Sequence, residues 1–477
     1  MSDFRSLLSN FQAATGTSSS TRNTSSNNRE GEKRNNKDDH RHTQENDISV
    51  SLRERTDRLW RITQIRRSTT MAASTLEKQS KVLGLKKEVR IAACACIVDA
   101  FPHEFVWKKW MEDTGGEVVI PTQRSGGGNS TSSSITIQAS GELYVHAKHP
   151  EKIKSSWLRS KTIEKTYRPN WNDVRIVRAV LELTSEALKD ESTTHILFCT
   201  ESCIPITSLK DAAVMLLTGS CGNGDAGSSV DKGEETEKRG SVDRNIECEV
   251  NWDRSFVDFY GRDSHRCTRF DEQNCWDVLA QSVPPDAIHK ALPGWCLVSR
   301  KHAQAVLDLP SQLGDGAPDL WPAFNNVWAP EEVYFPTALA LLGYLPGNDV
   351  VSKTVTHSKW NERARNQKDR AHPLEYDDSF NEHLVQNVRK EGCLFLRKMK
   401  RPLDIRIWER AALGKEISEA DVNADQDRDQ TLSKKRQRDY DHYDSGYHAG
   451  DRYGHSRYSS SRRRHGRDDF GNGSRYK

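Results

Sequence analysis

Long apolar runs are what this 477-residue chain most conspicuously lacks. No stretch of about 18 consecutive apolar residues occurs, so no membrane-spanning helix is visible in the sequence. Near the start, Phe4, Leu7, Leu8 and Phe11 have helical spacing but lie among polar residues, and a signal peptide needs a continuous apolar segment. An excess of charge is lacking too: 71 Lys and Arg against 68 Asp and Glu leave a formal +3, too little for a chain that binds nucleic acid along its whole length. At 35% hydrophobic residues and a mean hydropathy of −0.80, the chain cannot bury all of itself, and a sizeable fraction must stay solvated. The ten cysteines follow no metal-binding spacing. Cys94-x-Cys96 lies in an apolar run and Cys199 with Cys203 brackets a turn, so these and Cys393 read as buried thiols, while Cys248, Cys267 and Cys275 stay open to pairing in an oxidising compartment.

What is present divides the chain into four regions. Residues 1–47 are rich in Ser, Asn, Thr and Arg and are expected to be disordered; 48–87 read as a helical lead-in, with Leu52, Leu59, Trp60, Ile62 and Ile65 among Arg and Glu. A single α/β domain is expected over 88–415. It opens with the apolar strand Val89 to Val98, followed by helical spacing at Phe105, Val106, Trp107 and Trp110, a Gly/Ser-rich loop from Gln123 to Ser134, and a strand Leu143 to Ala147. A helix is expected from Trp171 to Leu188 and a third strand from His195 to Cys199. That alternation predicts a mostly parallel sheet covered by helices on both faces, with ligands beyond the carboxyl ends of the strands, which singles out Glu201 and Ser202. A tight turn before Pro205 accounts for Ser202 and Cys203 equally well. Residues 218–244 read as a disordered insertion. The last region, 416–477, is a polar tail whose part from Lys434 to Lys477 holds twelve Lys and Arg and six of the chain's 12 Tyr. Such tails are solvated, and some bind RNA or protein. The sequons at Asn23, Asn129 and Asn472 fall in low-complexity stretches.

The chain's most unusual local chemistry is Glu331-Glu332, set between Trp328-Ala329-Pro330 and the apolar run Tyr334 to Leu342. A proline turn with acids in the first helical turn is what a helix dipole favours by itself. Other segments accompany it in order: Ile196 to Ile206 with its Ser-Cys-Ile-Pro turn, Trp295 to Ala303 with Ser299-Arg300-Lys301-His302-Ala303, Trp360 to His372-Pro373, and Leu394-Phe395-Leu396-Arg397-Lys398-Met399. With these five segments the chain resembles the core-2/I-branching β-1,6-N-acetylglucosaminyltransferase family, particularly its plant and protist members.

The resemblance implies a GT-A-like fold and an inverting, metal-independent transfer of a sugar, N-acetylglucosamine, from a UDP-sugar to a hydroxyl of a glycan or glycoprotein acceptor. It implies Glu332 as general base, Lys398 as a diphosphate-binding cation with Arg370 (or Arg365) as the second, and Glu201 and Ser202 at the donor edge. Trp295 and Glu331 would meet the acceptor. No cofactor or metal is expected. The Asp-x-Asp triplets, within Asp425 to Asp429 and at Asp439-Tyr440-Asp441, lie in the polar C-terminal region, away from any strand end. The chain departs from the family pattern at Glu331, Leu396 and Met399, and in the longer gap from Trp360 to His372. A Golgi or secretory membrane location follows from the resemblance, although no anchor is visible. The alternative is an inactive transferase-like domain in the cytoplasm or nucleus, contacting RNA or protein through the basic tail around Lys434-Lys435-Arg436-Gln437-Arg438.

Overall fold

A computed structural model describes residues 52–67, 88–122, 133–219, 250–262, 264, 270, 273–291, 296–360 and 373–415. Residues 1–47, nearly all of the 218–244 insertion, the tail 416–477, the three sequons, and Trp295, Arg365, Arg370 and His372 therefore lie outside the described residues.

Strand β1 (Glu88–Ile97) is the centre of the molecule because its sequence leaves almost nothing to expose on either face. It pairs in parallel with β3 (Ser133–Ala147) on one side and β4 (Thr193–Thr200) on the other, and all eight residues of β4 are buried. Fully buried strands of this kind are what a parallel sheet covered on both faces requires. The complete seven-stranded order is β10-β6-β9-β4-β1-β3-β2, with β2 at Gly116–Thr122, β6 at Ser255–Phe256, β9 at Leu297–Ser299 and β10 at Val350–Val351. Only β2 and β9 run against the other five.

Side chains alternate across β1 with period two and so seed two cores. Val89, Ile91, Ala93, Ala95 and Ile97 pack with Trp107 and Trp110 of α2 (Glu104–Asp113) and with Leu209, Leu216 and Leu217 of α4 (Leu209–Thr218). Ala92 and Cys94 face the opposite way, toward Val177, Val180 and Leu183 of α3 (Arg175–Leu188) and toward α6 (Arg300–Leu307) and α7 (Pro330–Leu341). A lead-in helix, α1 (52–67), joins this second core through Leu52 and Leu59, and Thr56 donates a 2.8 Å hydrogen bond to the Ser282 carbonyl. Among the described residues no helix is long and apolar enough to cross a membrane.

Three boundaries differ from the sequence reading. Strand β3 begins at Ser133, within the expected loop, because Ile135, Ile137 and Ala139 alternate with polar residues in a strand pattern that the Ser/Thr content disguises. Helix α3 begins at Arg175 rather than Trp171: Asn172 sits at φ 64°, outside the helical region, and the Asp173 carboxylate accepts the Arg175 N–H at 2.9 Å. Thr218 belongs to α4, with Gly219 closing it at φ 74°, rather than to an insertion.

A smaller sheet, β11-β12-β5, lies beside the main one and holds the site in place. Strand β12 (Phe395–Arg397) pairs with β11 (Thr356–Ser358) and with the two-residue β5 (Ile204–Pro205). The turn after β4 is too irregular to satisfy its own carbonyls, and three tryptophans do it instead. The indole N–H groups of Trp107, Trp408 and Trp110 donate to the carbonyls of Cys203 (2.9 Å), Pro205 (2.7 Å) and Thr207 (2.8 Å). Trp107 also lies parallel to the Phe395 ring at 6.0 Å, and His103 donates through Nε2 to the Met399 carbonyl at 3.0 Å. An orphaned buried carbonyl costs about 1–3 kcal/mol. Trp408→Phe, in α9 (Ile405–Leu413), is therefore expected to lower unfolding stability by at least that amount with an unchanged denaturant slope, measured by urea titration.

Candidate active site

The turn that follows β4 carries Glu201 and Ser202 beyond the carboxyl end of the strand, next to Asp99 beyond the end of β1. Here the chain leaves β1 toward β3 on one side of the sheet and leaves β4 toward β6 and β9 on the other, which is where open α/β sheets bind ligands. Ser202 is buried, its hydroxyl 3.1 Å from that of Thr200, and its carbonyl accepts the Met399 N–H at 2.9 Å. That last bond brings the end of β12, with Arg397 and Lys398, onto the acids. Burial raises the Glu201 carboxyl above its ordinary value; Arg397 and Lys398 pull it down and Asp99 pushes it up. Lys398 is lowered by burial and by the crowding of Lys400 and Arg397, against the pull of Glu375 and Glu201. The corner is thus short of negative charge on one side and of positive charge on the other.

Helix α7 supplies the acid pair. Its start is fixed by two non-glycine residues in the left-handed region: Ala329 at φ 47° donates its N–H to the side-chain oxygen of Asn172, itself at φ 64°. Trp171 and Trp328 meet edge to face at 4.8 Å over this junction. Pro330 opens the helix with the φ a first turn needs, and the Glu332 N–H closes on the Ala329 carbonyl at 2.9 Å. Ten of the twelve residues of α7 are buried, so the helix is apolar nearly all round and its acids sit at its one polar end.

The two acids have different surroundings. Glu332 forms a short ion pair through Oε2 with the Lys290 ammonium; the side chains keep only 17% and 7% of their exposure. Lys290 lies on β8 (Lys290–Ala291), paired with β7 (Phe259–Tyr260), and its Nζ is 3.4 Å from the Tyr260 hydroxyl. Burial lowers Lys290, but the Glu332 carboxylate and Tyr260 outweigh it and leave the ammonium above its ordinary range. Glu331 has no such partner: its Oε2 is buried without a hydrogen bond, and burial, reinforced by the Glu332 charge, pushes the carboxyl up to about 7. Lys290 was missed at the sequence level, although a lysine inside Ile288-His289-Lys290-Ala291-Leu292, a mostly apolar stretch, is the signal that marks a buried cation needing an acid.

Of the sequence-derived candidates, the structure brings together Glu331 and Glu332 on α7, Glu201 and Ser202 after β4, and Lys398 after β12. Trp295 and Arg370 lie outside the described residues; Trp360 and Pro373, which flank the latter's segment, pair with each other. The Ser299-Arg300-Lys301-His302 segment is architectural. Ser299 caps α6, Arg300 binds the carbonyls of Leu188, Asp190 and Thr193 below α3, and His302 is buried 2.7 Å from the Ser255 hydroxyl, held down to about 4 by burial and by Lys301. A cleft lined by Thr194, Trp252, Asp253, Arg300, Lys301 and Gln304 sits at this opposite, amino end of β4. Among the described residues one mixed group could offer atoms to a cation, His357, Glu391 and Cys393, but both His357 nitrogens are engaged, by Glu391 at 2.9 Å and by Tyr376 at 3.1 Å.

Acids and cations thus gather at the carboxyl edge of a mainly parallel sheet in an α/β protein. Residues 142–389 match the family model described as Branch, Core-2/I-Branching enzyme. The chain belongs to this family and is a glycosyltransferase, a class that takes a nucleotide sugar and a glycan acceptor. The match includes Glu201, Ser202, Glu331 and Glu332 and ends before the Leu394 to Met399 segment that carries Lys398. No curated protein matches the chain.

The raised Glu331 carboxyl has a stability consequence. Between its unfolded value near 4.5 and its folded value of about 7, the native state holds a proton that the unfolded state has released, so stability falls as pH rises through that window. Glu331→Gln is expected to flatten the decline in melting temperature between pH 5 and pH 8, which amounts to at most about 3 kcal/mol.

Proposed function

We propose that the protein transfers N-acetylglucosamine from UDP-N-acetylglucosamine to a glycan hydroxyl, with inversion, without a divalent metal, on a GT-A-like fold, in the Golgi or secretory membrane system. The observation that carries the reading is the apposition of Glu332 and Glu331 on α7, Glu201 after β4, and Arg397 and Lys398 after β12, in a chain of the branching-enzyme family. Glu332 takes the proton of the attacking hydroxyl on the carboxylate oxygen that Lys290 does not hold. The hydroxyl oxygen forms a bond to the anomeric carbon, the bond from that carbon to the β-phosphate oxygen breaks, and the electron pair leaves on UDP. A single displacement inverts the anomeric centre. The leaving diphosphate gains negative charge, which Lys398 and Arg397 counter. Their mutual repulsion, part of what lowers Lys398, is relieved when an anion arrives between them. Glu201 and Ser202 line the donor edge, and Arg370 supplies a second phosphate contact. Glu331, with a proton available near neutral pH, donates to an acceptor oxygen, and Trp295 packs against the acceptor sugar.

The test is calorimetry of UDP-N-acetylglucosamine with the full chain in EDTA, coupled to UDP release. Binding is expected in EDTA and is expected to weaken at least tenfold in Lys398→Ala. Glu332→Gln is expected to leave donor binding intact and slow turnover by about a hundredfold to ten-thousandfold. Binding that needs manganese overturns the metal-independent reading, and wild-type turnover in Glu332→Gln overturns the assignment of the base.

A further inference from the structure

Glu331 and Glu332 are consecutive and lie on the same first turn of α7, but their side chains diverge into different surroundings. Glu332 meets a lysine; Glu331 meets none. Burial and the Glu332 charge push the Glu331 carboxyl up to about 7.

We infer that Lys290 is a positioning residue for the transfer, which grips one oxygen of the Glu332 carboxylate and aims the second at the acceptor. The inference rests on the reading of Glu332 as the base. Lys290 is built for this role by its anchorage. Its Nζ is held between Glu332 Oε2 and the Tyr260 hydroxyl, and the ammonium stands 5.8 Å from the Tyr260 ring centre. The backbone just before it is pinned to α7, because the buried Thr337 of that helix exchanges two 3.1 Å hydrogen bonds with His289, receiving one to its side chain from the His289 N–H and giving one to the His289 carbonyl. Lys290 and Glu332 thus belong to elements pinned together one and a half turns further along the helix. Pro336 adds to the local polarity, since it has no N–H to give the Glu332 carbonyl four residues before it. The ionisable groups acting on the pair are Glu331 from the same turn, Tyr260 from β7, Cys275 from the helix Cys275–Ala280, and Arg397, which acts on Glu331 from β12.

In chemical terms Lys290 trades basic strength for direction. A lysine-paired carboxylate is a weaker base than an isolated one, but the ion pair fixes where its free oxygen points.

The test uses the full chain, UDP-N-acetylglucosamine as donor and water as the acceptor, with UDP release followed from pH 4.5 to 9 for the wild type, Lys290→Met, Lys290→Arg and Glu332→Gln. Thermal unfolding of Lys290→Met, Glu332→Gln and the double variant completes a mutant cycle. In Lys290→Met the acid limb of the rate profile is expected to move up by one to two pH units, so that release at pH 6 falls about 10- to 100-fold and recovers toward pH 9. Lys290→Arg is expected to keep the wild-type limb, and donor affinity is expected to stay constant across the Lys290 variants. The cycle is expected to be non-additive. An additive cycle overturns the inference whatever the activity. So does a coupled cycle in which Lys290→Met keeps the wild-type limb while Glu332→Gln is inactive, and in that case the transferase mechanism stands without Lys290. Wild-type turnover in Glu332→Gln removes the base itself, and the inference with it.

Discussion

The turn from Ser202 to Thr207 has to be buried, and a buried turn has carbonyls that water cannot reach. Most of this molecule's functional geometry follows from how those carbonyls are met. Three indole N–H groups and the edge of β12 satisfy them, and the edge of β12 is what carries Arg397 and Lys398. A requirement that looks local, finding donors for a few oxygens, thereby draws a strand nearly 200 residues away up to the acids at the end of β4. The tryptophans suit the task because each brings a large apolar body for the core and one donor at its rim.

The acid pair on α7 illustrates how far environment outweighs sequence. Two glutamates in adjacent positions would read as interchangeable in any composition-based account. One faces a lysine carried by the short strand β8; the other faces the interior. Burial pushes the Glu331 carboxyl up, while its neighbour is held by a buried ammonium. The helix contributes its dipole to both acids alike, so the dipole cannot be the source of the difference.

Much of this was legible in the chain. The apolar runs of β1 and β4 announced buried parallel strands, and the helical spacing of α3 and the proline-led start of α7 were plain from residue types alone. The pairing of Glu331 with Glu332 and the location of Lys398 after an apolar trio were equally visible. Strand β3 was not, because its alternation is written in serine and threonine, which mimic a loop. The two-stranded sheet that delivers Lys290 was invisible for a different reason: two strands of two residues each, far apart in sequence, carry no periodicity, and β8 packs against α7. Ser299, Arg300 and His302 show the opposite failure. Their chemistry drew attention as a motif, yet each is consumed in holding α6 against α3 and β6. A polar residue type identifies a capability, and only its neighbours decide whether that capability is spent on structure.

The joining of Ser202 to Met399 also orders events in time. Strands β1, β3 and β4 and their helices involve residues before 219, so the first half of the sheet can be assembled while the rest of the chain is still being made. The cations arrive late, on a strand one of whose partners, β5, has waited for the whole intervening sequence, and contacts that distant in sequence close slowly. During synthesis Glu201 therefore stands at the end of β4 before Arg397 and Lys398 exist to face it. The charges of this corner are brought together only when nearly the whole of 88–415 has been made.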